Sequence, residues 1–88
     1  MVYNFMELSD GTIITHTEMI DDKVKVTIEK PIFLGFKHAE CLLPSYNWEN
    51  IDGFSQDEIN EFDSFIKSVE HIIIETAIEE VYENASSF

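Results

Sequence analysis

The 88-residue chain is 44 % hydrophobic and 12 % aromatic, enough apolar content for one folded domain and too short for two separate cores. Its 18 acidic residues face five lysines and no arginine, for a formal net charge of -13. That balance excludes a conventional nucleic-acid binder, which neutralises phosphates with clustered cations, and docking on anionic lipid, which needs polybasic clusters. No apolar run approaches the roughly 20 residues of a membrane span. There is no basic-then-apolar leader pattern, and Cys41 is the single cysteine. A cytoplasmic location with no membrane association is expected.

The first half reads as β-structure. Residues 2–8 form a first run, and Ser9-Asp10-Gly11 ends it. Asp-Gly between two such runs signals a hairpin, because both residues tolerate positive φ. Residues 12–17 are rich in β-branched side chains and form the return strand. After a second polar turn at Asp21-Asp22, residues 23–29 alternate with a period of two. Val24, Val26 and Ile28 then face a core, and Lys23, Lys25, Thr27 and Glu29 face water. Pro31 and Gly35 bracket Ile32-Phe33-Leu34, which reads as a loop or wide turn. Residues 36–43 make a fourth strand with Ala39, Cys41 and Leu43 inward, and Pro44 stops it. Short connections between four strands predict an antiparallel meander with one covered face.

The second half reads as helix. Ser55-Gln56-Asp57-Glu58 is a capping box, with Phe54 and Ile59 in the positions of a hydrophobic staple. Asp57 and Glu58 also place negative charge where the helix dipole favours it. Ile59, Phe62, Ile66, Val69 and Ile73 recur at core-facing intervals. From Ile74 the apolar positions shift: Ile74, Ile78 and Val81 lie on a stripe rotated by roughly 90° at 100° per residue. A helix to about residue 82 would be roughly 40 Å long at 1.5 Å per residue, against a domain diameter near 30 Å. The helix must bend or overhang the sheet. The expected architecture is α+β, one domain over 1–88: a four-stranded antiparallel β-meander (1–44), a connecting loop (45–54) and a long C-terminal helix (55–83) packed on one face.

Signatures of chemistry are sparse. The three glycines are isolated, so no phosphate-cradling loop exists, and no Ser, Thr or Cys sits in a nucleophile motif. His71 and Glu75 stand at i, i+4, and His38 and Glu40 share a strand face, but neither pair has zinc-module spacing. The three histidines read as solvated surface residues and Cys41 as a small core residue. No catalytic residue, metal site or cofactor is expected.

Three surfaces remain as candidates for recognition. Asp57, Glu61, Glu75 and Glu79 fall in one helical strip, with Ser64 and Ser68 between them. Such a strip either keeps the protein soluble or imitates nucleic-acid phosphate in a basic groove. Tyr46 and Trp48, in the expected loop, either anchor a partner or cover the end of the core. Ile74, Ile78 and Val81, with Tyr82, would meet a second copy where the helix overruns its own sheet. The expected function is a small acidic, non-catalytic protein-interaction module that self-associates, its partner another protein or a second copy. The alternative is an acidic inhibitor that mimics nucleic acid, of the kind phages and mobile elements carry. A small enzyme or ligand-binding protein is the third reading. Direct nucleic-acid binding is not expected.

Overall fold

The computed structural model describes the backbone of residues 1–86 and the side chains of residues 1–80. Five strands, β1 (Val2–Glu7), β2 (Ile13–Thr17), β3 (Val24–Ile32), β4 (Gly35–Leu43) and β5 (Asn47–Asp52), precede one helix, α1 (Gln56–Ser86). The strands pair antiparallel in the order β1-β2-β3-β4-β5, so the fold is an α+β meander with one C-terminal helix.

The four-strand expectation is corrected by β5, which occupies most of the expected loop 45–54. Within β5 only Trp48 lies directly opposite a buried β4 residue, Cys41. Its neighbours Asn47, Glu49, Asn50 and Asp52 are all exposed. A left-handed Asn50 (φ 52°) interrupts the ladder, where the register shifts between His38 and Glu40. An edge strand with one inward apolar side chain and a bulge shows no alternation in its sequence.

The turns follow their residues unevenly. Asp21 and Asp22 both have positive φ (52° and 62°), as a type I′ turn requires, and Ile20 and Lys23 exchange backbone hydrogen bonds across it. The Asp10-Gly11 connection is looser than the dipeptide suggests. Only Gly11 is left-handed (φ 90°), Asp10 Oδ1 accepts from the Thr12 amide at 2.9 Å, and the Leu8 amide donates to the Thr12 carbonyl at 2.8 Å. The loop therefore spans residues 8–12, held by an Asx-type bond.

One face of the sheet carries the core. Ile14, Val24, Val26, Ile28, Ala39, Cys41 and Leu43 are fully buried against Ile59, Ile66, Ile73 and Ala77 of α1. Ala77 continues the buried line one turn beyond Ile73, and Ile74 flanks it, partly buried. His16 is also buried, contrary to the surface reading, because it alternates with Ile14 on the covered face of β2. Its Nδ1–H donates to the Thr17 carbonyl at 2.8 Å, and its ring lies beside Tyr3 and Phe5.

The helix begins as its capping box dictates. The Glu58 amide donates to Ser55 Oγ at 3.2 Å, and the Ser55 amide donates back to Glu58 Oε1 at 2.9 Å. From there α1 is uninterrupted for 31 residues. At 1.5 Å per residue that is about 46 Å, close to the longest dimension of the molecule, 44 Å. A nine-residue strand spans only about 30 Å, so the helix overruns the sheet.

Candidate functional site

Among the described residues, the most exposed apolar element is the end of the β3–β4 hairpin. Pairing with β2 stops at Ile13 opposite Glu29, and pairing with β5 stops at His38 opposite Asp52. The β3–β4 ladder continues through Lys30↔Lys37, Pro31↔Phe36 and Ile32↔Gly35. Three residue pairs at about 3.4 Å each therefore project roughly 10 Å past both neighbouring strands. This two-stranded arm explains why Pro31 is tolerated inside β3: beyond Glu29 there is no β2 neighbour whose ladder needs its missing N–H.

The arm ends in side chains that water disfavours. Phe33 and Leu34 are each 90 % exposed, Phe36 62 % and Ile32 46 %. Together they present on the order of 600 Å² of apolar surface, at roughly 200 Å² for a fully exposed large side chain. Phe33 and Leu34 at the turn supply most of it, Ile32 and Phe36 lie on opposite faces of the ribbon below them, and apolar surface concentrated at one tip marks a contact site. The two-residue turn adds a conformational cost, since Leu34 sits at φ 65°, where Gly or Asn would be at ease.

The root of the arm is braced from both sides. Lys30 Nζ lies 3.4 Å from Asp10 of the β1–β2 loop, and Lys37 Nζ lies 3.4 Å from Glu58 in the first turn of α1. Two lysines directly opposed across a ladder repel, and each is answered by its own carboxylate. The adjoining backbone closes in as well. A Cβ on Gly11 would lie 3.2 Å from Pro31 Cγ, and one on Gly53 would lie 3.0 Å from Lys37 Cγ, both at φ 90°. Glycine is required at both contacts, so the arm is seated firmly while its tip stays bare.

The residues expected from the sequence fall elsewhere. Asp57, Glu61, Glu75 and Glu79 are all exposed along the back of α1, with Ser64 and Ser68 exposed between them. None of the four takes part in an ion pair among the described residues. Trp48 and Tyr46 turn inward. Trp48 Nε1–H donates to Asp63 Oδ1 at 2.9 Å, and Lys67 Nζ lies 5.0 Å from the centre of the Tyr46 ring. Lys67 and then Trp48 hold the Asp63 carboxyl below its ordinary pKa, while burial raises the Tyr46 phenol. Ile74 packs partly against the core and Ile78 is 38 % exposed. Val81 and Tyr82 belong to the last turns of α1, and their side chains lie outside the described residues.

The open face of the sheet carries a polar network centred on His38. His38 Nδ1 lies 3.3 Å from Glu29 and Nε2 lies 2.8 Å from Glu40. Asn50 donates to Glu40 at 2.9 Å, and Lys25 Nζ stands 3.4 Å away. The bond to Glu40 raises the His38 pKa, and Asn50 first, then His38, lowers that of Glu40. Cys41 is buried, which pushes its thiol up to about 12. Among the described residues no group of three or more His, Cys, Asp or Glu side chains is arranged to hold a metal ion. Nor is any helix long and apolar enough to cross a membrane.

The arm was absent from the sites expected of the sequence, yet a signal for it existed. A run of Ile-Phe-Leu between a proline and a glycine puts apolar residues where turns are normally polar. Comparison with protein-family models, curated proteins and solved structures finds no match.

Proposed function

We propose that the protein is a small acidic, non-catalytic protein-interaction module of the cytoplasm that docks through its β3–β4 arm. The observation that carries this reading is the coincidence, at one turn, of two side chains 90 % exposed and a left-handed leucine. A sequence selected for stability alone would place Asn or Gly at such a turn. Keeping Phe33 and Leu34 costs solubility and backbone energy, and a partner's pocket would recover both. Self-association through Ile74, Ile78, Val81 and Tyr82 is the accompanying proposal, supported by the apolar surface Ile78 leaves open. Mimicry of nucleic acid is the second reading. Its support is the set of four exposed carboxylates along α1 that take part in no ion pair among the described residues.

The test is a photo-crosslinking amino acid at position 33, with position 45 as an exposed control at the far end of β4, in cells that make the protein. Docking through the arm yields adducts from position 33 that position 45 does not give. Identical adducts from both positions, or none, contradict it.

A further inference from the structure

We infer that the arm's partner is a basic protein, one whose apolar pocket takes Phe33 and Leu34 and whose rim carries lysine or arginine. The inference rests on the docking role of the arm and adds the chemistry of what it meets.

Uncompensated carboxylates lie at the root end of the arm, on β5, α1 and β1. Asp52 ends β5 opposite His38, one residue from the arm's root. Asp57 lies in the first turn of α1, next to the Glu58 that holds Lys37. Glu7 ends β1 opposite Ile13, on the β2 side of the arm. All three are exposed, and none takes part in an ion pair or side-chain hydrogen bond among the described residues. Glu61 continues the series one turn along α1, beside a groove that it lines with Leu8, Phe62 and Phe65. A partner that seats the apolar tip therefore brings its own rim against negative charge.

The protein cannot supply the complement itself. Of its five lysines, Lys25, Lys30, Lys37 and Lys67 are already paired with Glu40, Asp10, Glu58 and Asp63. Lys23 remains, in the turn before β3, at the opposite end of that strand from the arm. A second copy would add another net -13 with no free cation near the contact. Nucleic acid and anionic lipid bring the same sign of charge. A zwitterionic bilayer could receive the tip but offers nothing specific to the carboxylates. Only a basic protein surface satisfies both halves.

The experiment combines two probes on the 88-residue chain in native cell extract. A photo-crosslinking residue at position 33 reports what covers the tip. A water-soluble carbodiimide, which joins a carboxylate directly to an amine, reports lysines in contact with the acids. The expected result is one protein that carries both the adduct from position 33 and amide links from Asp52 or Asp57. Its photo-adduct yield should fall about tenfold in about 0.5 M salt, where the screening length drops to a few ångström. It should fall comparably in an Asp52→Asn/Asp57→Asn variant, whose folding is checked by its melting curve. An arm-specific protein adduct with neither amide links nor salt dependence overturns the basic partner and leaves the docking role standing. An adduct to lipid, or to a second copy of this chain, also overturns it. The absence of any arm-specific adduct removes the docking role itself.

Discussion

Leu34→Gly should make the protein more stable, although it deletes a large hydrophobic side chain. Leu34 is 90 % exposed, so its removal forfeits almost no burial. At φ 65° an L-residue brings its Cβ against the backbone, at roughly 1–2 kcal/mol. Glycine escapes that clash but loses more conformational freedom on folding, roughly 0.5–1 kcal/mol. The midpoints leave a gain of about 0.75 kcal/mol. For a domain of this size that is a rise in Tm of about 3–6 °C. Paired thermal and urea melts measure it, with an unchanged urea slope as the sign that only native-state strain has moved. Leu34→Ala is the control. It removes the same apolar surface but keeps the Cβ, so it should show no comparable gain. A Leu34→Gly variant less stable than wild type would mean that the side chain has contacts in solution and that the tip is not bare.

Three further expectations follow from particular contacts. Ser55→Ala should lower stability by about 0.5–2 kcal/mol, since the Glu58 amide loses its cap; melts that show no loss would contradict the capping geometry. Glu40 raises the His38 pKa above its ordinary 6.5, so the histidine's contribution is full below that value and is lost as pH rises through the folded pKa. Glu40, held below 4.5 by Asn50 and His38, contributes above that value and loses its contribution as pH falls through the folded one. The stability gap between wild type and His38→Gln should therefore be widest between about pH 5 and 6.5 and narrow as pH rises through the folded pKa of His38; a gap constant with pH would refute the network. Sedimentation of wild type and Ile78→Glu tests self-association: a dimer that becomes a folded monomer supports it, and a monomer in both cases refutes it.

What the sequence disclosed depended on how many inward side chains each element owns. Val24, Val26 and Ile28 alternate cleanly because β3 is central and covered on one face along that stretch. Ser55 and Glu58 mark the helix start because capping is a local exchange of two hydrogen bonds. Strand β5 left no such trace, since its bulged edge position asks only Trp48 to face the core. His16 looked like a surface residue because its burial depends on long-range packing beside Tyr3 and Phe5. The arm was hidden for a related reason. Proline and glycine mark a break in regular structure, but here they flank a ladder that runs past its neighbours. Ladder lengths on either side of β3 and β4 are properties of register and cannot be read from one segment.

Hydroxyl-radical footprinting of the protein, alone and in native cell extract, tests the central claim most directly. With the arm serving as a docking element, Phe33 and Leu34 should both be readily oxidised in the isolated protein, and both should be protected in extract while exposed His71 on α1 is not. Strong protection of Phe33 and Leu34 in the isolated protein at low concentration, or equal oxidation with and without extract, would contradict the account.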